Sequence, residues 1–181
     1  MVYLPLPARY GLGDMERFRC EELAATLKWP CFALDVYGTG VRPSTDAEAA
    51  ATMDELTSNP TELHARIQSS LDALLSLPTT CAAAGLGNST CPNVDAARTT
   101  ANGYCFGGQM VLELARFGGA EVAAVTSFHG ELDNLTATPP NIQAVVSVHH
   151  AQLDFQGDEA LRTFETEMEA NAVAHWFTKY V

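Results

Sequence analysis

The chain has 181 residues, 47% of them apolar and 18% charged, which suits one domain with a sizeable buried core and excludes a disordered chain. Ten Lys and Arg stand against 22 Asp and Glu, giving a net charge of −12 and a pI near 4.6. That balance argues against nucleic acid or an anionic membrane surface as partner, since both reward basic clusters. No apolar run reaches the length of a membrane span, and residues 1–7 show no signal peptide, so the default compartment is the cytoplasm.

Residues 2–5 read as a short strand, and Gly11-Leu12-Gly13-Asp14 as a turn in which Asp14 caps a helix over 15–28. Phe18, Leu23 and Leu27 share that helix's apolar side. Residues 31–37 form an apolar run broken only by Asp35 and closed by Gly38 and Gly40, the pattern of a parallel strand covered on both faces. Helices follow over 46–56 and 60–77, the second with Leu63, Ile67, Leu71, Leu74 and Leu75 at helical spacing. Residues 78–92 read as loop. Strands are predicted at 96–101, 122–128, 144–149 and 175–181, and helices at 109–117 and 159–172, the last burying Leu161, Phe164 and Met168. This alternation predicts βαβ units, hence an α/β fold with a mostly parallel sheet flanked by helices.

The five cysteines form no C-x-x-C pair and no zinc-ligand spacing, so no metal is predicted. Cys20 and Cys31 read as small buried hydrophobes. Cys81 and Cys91 bracket a loop of small residues and are a candidate disulfide in an oxidising compartment.

The segment Asn102-Gly103-Tyr104-Cys105-Phe106-Gly107-Gly108 lies between a predicted strand and a predicted helix. It fits a G-x-nucleophile-x-G elbow with Cys as the nucleophile. The flanking glycines let strand and helix approach, and the strained turn lifts the side chain above the sheet. The helix N-terminus stabilises a thiolate or an oxyanion.

Gly103-Tyr104-Cys105-Phe106-Gly107-Gly108 closely resembles the nucleophile motif of the dienelactone hydrolase family, a branch of the α/β-hydrolase superfamily. Tyr10-Gly11-Leu12 with Asp14 and Arg17-Phe18, Phe32-Ala33-Leu34-Asp35-Val36-Tyr37-Gly38, and Ser127-Phe128-His129-Gly130 resemble further family segments in the same order. The resemblance implies an α/β-hydrolase-like three-layer sandwich. It also implies hydrolysis of a small-molecule ester or lactone by a Cys–His–Asp triad, without cofactor. Cys105 carries over as nucleophile and Asp154 as acid, with Asp158 as fallback. The backbone N–H groups of Phe106 and Arg9 carry over as oxyanion donors. The family often has an acidic residue just before the second donor; this chain has Ala8.

The family's histidine follows the last core strand, which here ends at Val181. The first strand resembles the family's third. Truncation at both ends, with edge strands and the base missing, is therefore the expectation. His175 mimics the family's terminal H-x-F-T but starts a strand at the sheet edge away from the nucleophile. His129 is the candidate lining the pocket near Cys105, and His149 and His150 are expected to pack near the acid loop. The competing expectation is a catalytically inactive family member kept as a binding or interaction module.

Overall fold

The computed structural model describes residues 2–85, 94–136 and 140–180. Five strands, β1 (Val2–Leu6), β2 (Thr99–Tyr104), β3 (Ala124–Phe128), β4 (Val145–Ala151) and β5 (His175–Tyr180), form one parallel sheet in the order β1-β2-β3-β4-β5. The register aligns Tyr104, Phe128, His149 and Thr178 at the carboxyl edge. Helices α1 (Asp14–Leu27), α2 (Asp46–Thr57), α3 (Pro60–Ala83), α4 (Phe106–Phe117) and α5 (Asp158–Ala170) complete the described α/β fold. Among the described residues, no helix is long and apolar enough to cross a membrane.

Period-2 alternation sends Ala101, Val125, Val146 and Val148 to a buried face. Helix α4 lies on that face and is itself buried from Phe106 to Arg116. On the opposite face the rings of Tyr104, Phe128, His149 and Tyr180 stack across four strands, with centroids 4.7, 4.5 and 5.8 Å apart.

A buried charge cluster ties α3, α4 and α5 together. Arg116 grips Glu167 through two nitrogens at 2.7 and 3.0 Å and donates to Glu113 at 2.8 Å. His64 closes on the other Glu113 oxygen at 2.8 Å. Burial pushes the Glu113 carboxyl up, but His64, Arg116 and the Leu135 N–H outweigh it and hold Glu113 below its ordinary range.

The expected strand over 31–37 is an extended segment with a bridge only at Cys31. Its tie to β1 is the Leu34 N–H donating to the Pro5 carbonyl at 3.1 Å. In a strand a residue's N–H and C=O point to the same side, and Pro5 has no N–H, so the next rung on that edge is missing. Cys20 and Cys31, expected as buried thiols, are instead a disulfide joining α1 to this segment. The proposed Cys81–Cys91 pairing involves Cys91, outside the described residues.

Helix α1 is capped by Gly13 rather than Asp14, and Glu16 returns to the Gly13 N–H at 2.8 Å. Its buried residues are Glu16 and Cys20, whereas Phe18 is 63% exposed. Because the disulfide and the cap fix the helix's rotation, the apolar side expected from Phe18 and Leu27 faces outward. Helix α3 continues past Pro78 to Ala83, since one missing N–H on a helix anchored by buried Leu63, Ile67, Leu71 and Leu74 does not stop it. Strand β2 starts at Thr99 and runs through Asn102 and Gly103, residues that signal a turn in isolation; Ala96–Arg98 is a 3-10 turn.

Candidate active site

Cys105 is the single residue between β2 and α4. Its backbone has φ 55° and ψ −118°, a left-handed conformation that a side chain rarely adopts. The turn is held by the Cys105 N–H donating to the Phe128 carbonyl at 2.9 Å and the Gln109 N–H donating to the Cys105 carbonyl at 3.2 Å. Two glycines make it possible. A Cβ on Gly103 would lie 2.0 Å from the Gly107 carbonyl oxygen, and one on Gly107 would lie 2.4 Å from that of Leu6. No side chain fits at either position, so strand, helix and the loop after β1 close directly on one another. Cys105 is the free cysteine among the described residues and is half-buried.

Phe106 opens α4, so its N–H has no intrahelical acceptor and faces the positive end of the helix dipole. Arg9 lies in the loop after β1. Tyr37, from the extended edge segment, braces both: its hydroxyl donates to the Arg9 carbonyl at 2.9 Å and its ring stacks on Phe106 at 5.9 Å. Burial, with a further contribution from Cys105, pushes the Tyr37 phenol well above its usual range and keeps it a donor. Gly11 has φ 78°, and a Cβ there would meet the Tyr37 ring at 2.7 Å. Glu16 holds the same loop from the other side, accepting from the Gly13 and Ala8 N–H groups at 2.8 and 3.4 Å. The Arg9 guanidinium is turned to Asp46 at 2.6 Å.

Asp154 follows β4, at the sheet edge where Cys105 lies. Its side chain has no exposed surface. Its Oδ1 accepts from His129 Nδ1 at 2.7 Å and from the Phe155 N–H at 2.8 Å. His150 Nδ1 stands 3.3 Å from Oδ2. Burial pushes this carboxyl up, but the His129 hydrogen bond, the Phe155 N–H and the nearby imidazoles outweigh it, leaving Asp154 below its ordinary range. Asp158, the fallback acid, instead starts α5 and pairs with Lys179 at 2.7 Å.

His129 sits one residue beyond β3, again left-handed at φ 57°. His150 is buried, its Nε2 bonded to the Gln156 carbonyl at 2.9 Å. The Gln156 side chain accepts from the Leu132 N–H at 2.7 Å, joining the acid loop to the loop that carries His129. Tyr37 and Glu16 are supports that sequence reading missed, whereas His150 lies at the acid loop, where it was expected. Only Glu16 carried a local signal, a carboxylate three residues after a helix cap. His175 starts β5 at the far edge of the sheet and bonds the Val173 carbonyl.

A family model for dienelactone hydrolases matches residues 9–181. The chain belongs to the dienelactone hydrolase family. Among solved structures it is similar to a dienelactone hydrolase-like promiscuous phosphotriesterase from metagenomic libraries, at 28% identity and TM-score 0.81, over 98% of this chain and 68% of that one. The same fold recurs in a dienelactone hydrolase from Anabaena variabilis, at 19% identity and TM-score 0.58, over 98% of this chain and 73% of that one. It recurs too in a phospholipase/carboxylesterase from Dyadobacter fermentans, at 14% identity and TM-score 0.58, over 99% of this chain and 79% of that one. A search of curated proteins returned no match. Membership in this family makes the Cys105 turn, with its two closed glycine contacts, the place to look for chemistry.

Proposed function

We propose that this chain is a thiol hydrolase of small-molecule esters or lactones, with Cys105 as nucleophile and Asp154 as the acid that orients a histidine. The observation that carries the reading is the left-handed Cys105 turn at the N-terminus of α4, closed by glycine-to-backbone contacts that leave the thiol at the carboxyl edge of the sheet.

The thiolate attacks the substrate carbonyl carbon, and the Phe106 and Arg9 N–H groups receive the developing oxyanion. Tyr37 and Glu16 hold the Arg9 loop against α4, so these donors are set before substrate arrives. The alcohol, or the ring oxygen of a lactone, leaves with a proton, and water then hydrolyses the thioester. No cofactor takes part in these steps.

The test is turnover of p-nitrophenyl acetate by the wild type and by Cys105→Ala. The expected result is loss of at least about 10³-fold in kcat for the variant. Equal rates would sink the proposal in favour of a non-catalytic binding module. A p-nitrophenyl phosphotriester is the second probe, because the relative at 28% identity is named for that activity.

A further inference from the structure

We propose that the Cys20–Cys31 disulfide puts the oxyanion loop beside Cys105 under redox control, an inference that rests on the thiol-hydrolase reading. The bond joins α1 to the extended segment 31–37. Each of these two elements carries one brace of the loop that presents the Arg9 N–H. From α1, the Glu16 carboxylate accepts from the Ala8 and Gly13 N–H groups, on either side of Arg9 in the chain. From the segment, the Tyr37 hydroxyl donates to the Arg9 carbonyl while its ring stacks on Phe106, which carries the other donor. The disulfide therefore closes a frame around the loop without using any part of the Cys105 turn.

The two elements differ in what else holds them. The segment buries Leu34, Val36 and Tyr37, and Arg66 donates to the Val36 and Tyr37 carbonyls at 3.0 and 3.2 Å. Helix α1 buries only Glu16 and Cys20, while Met15 and Phe18 face outward. A helix owes most of its stability to a packed apolar face, and α1 has little of one, so the disulfide is its main anchor. Its end is also constrained. Lys28 caps α1 in the left-handed region at φ 57°, which a non-glycine residue keeps only where its surroundings enforce it. Only Trp29 and Pro30 separate it from Cys31. Cutting the bond lets this turn relax and α1 move, carrying Glu16 off the Ala8 N–H, the longer of its two bonds at 3.4 Å. The glycine contacts that shape the Cys105 turn stay in place, so the nucleophile remains while one oxyanion donor loses its setting.

The reductant is a small-molecule thiol. Cys31 is half-buried and Cys20 buried, so Cys31 Sγ is the sulfur it reaches. The thiolate bonds to Cys31 Sγ as the Sγ–Sγ bond breaks and its electron pair leaves on Cys20 Sγ. A second thiolate attacks the sulfur of the first, releasing the oxidised thiol as a disulfide and leaving Cys31 as thiolate. The two protons of the consumed thiols end on Cys20 and Cys31.

The test compares the oxidised protein, the protein reduced by dithiothreitol and desalted anaerobically, and Cys20→Ala/Cys31→Ala. Dithiothreitol also reaches the disulfide of Cys81, which the double variant leaves intact. We expect the acylation burst with p-nitrophenyl acetate to slow by about tenfold in both, with KM changed by less than about twofold, because an oxyanion donor acts on the transition state. Hydrogen exchange at the Ala8 and Gly13 N–H groups speeds up, and reoxidation of the wild type restores the burst. Alkylation of Cys105 by iodoacetamide, followed on its own peptide, stays within about twofold. Acylation within about twofold of the oxidised protein, with Cys20 and Cys31 shown by mass spectrometry to be reduced, would overturn redox control and leave the hydrolase intact. So would a Cys20–Cys31 bond that dithiothreitol does not open in the folded protein. A wild type without a burst, or a burst retained by Cys105→Ala, would overturn the hydrolase reading and this one with it. Should the double variant fail to fold, the reduced wild type decides through its burst and through exchange at Ala8 and Gly13, where unchanged exchange overturns the proposal.

Discussion

Replacing Gly103 by Ala tests whether the Cys105 turn depends on backbone contact. The added Cβ would stand 2.0 Å from the Gly107 carbonyl oxygen and 2.1 Å from its carbon, both backbone atoms with no side chain to rotate away. Clearing even 3.0 Å requires β2 and the first turn of α4 to separate by about 1 Å. That turn is packed on the sheet and cannot yield locally, so the expected destabilisation is about 3 kcal/mol, at the upper end for overpacking. In a chain of this size that lowers Tm by about 6–12 °C. The same shift moves Cys105 and the Phe106 N–H relative to Arg9, and a displacement of about 1 Å at reacting groups costs about 10²-fold in rate. Thermal melting by circular dichroism reads the first effect and the p-nitrophenyl acetate burst the second. Gly108→Ala is the milder companion, because its added Cβ would stand 2.7 Å from Ser127 Oγ and 2.8 Å from the Gly130 Cα, less severe approaches than the 2.0 Å at Gly103. A Gly103→Ala protein that melts within 1 °C of wild type and acylates normally would refute the reasoning.

Three further outcomes follow from the buried contacts. Arg116→Met strips Glu113 and Glu167 of their shared cation inside the helix cluster, and urea melts are expected to show a loss of about 3–5 kcal/mol. The folded-state pKa of Glu113 lies below its ordinary 4.5, so its contribution is complete above that value and is lost as pH falls through the lower, folded one. Stability measured below pH 4.5 should therefore fall less steeply in Glu113→Gln than in wild type, and parallel slopes would contradict this. Tyr37→Phe removes the hydroxyl from the Arg9 carbonyl but keeps the ring on Phe106. It should cost about 1 kcal/mol of stability and lower kcat by about tenfold with little change in KM.

The α/β alternation, the parallel sheet and the Cys105 turn were legible because hydrophobic periodicity and paired glycines are local signals. What escaped was fixed by distant partners. Nothing near Cys20 or Cys31 tells a cystine from two buried thiols, since both read as small apolar residues in apolar runs. The α1 face was misread because Glu16, a charged residue, turns inward to cap backbone N–H groups while Phe18 turns out. Strand β2 was placed too early because Asn102 and Gly103 are turn formers by propensity; only packing against Gly107 explains a glycine inside the strand. Asp154 was assigned through the family resemblance, which puts the acid just after β4. The two imidazoles that flank it come from different stretches of chain, one after β3 and one in β4, so their convergence follows from register and not from spacing.

The most direct test of the central claim is to quench the p-nitrophenyl acetate reaction in its burst phase and locate the acyl group by peptide mass spectrometry. The account predicts one acetyl group, on Cys105, as a thioester that hydroxylamine removes. An acetyl group on another residue, or turnover with Cys105 unmodified throughout, would contradict it.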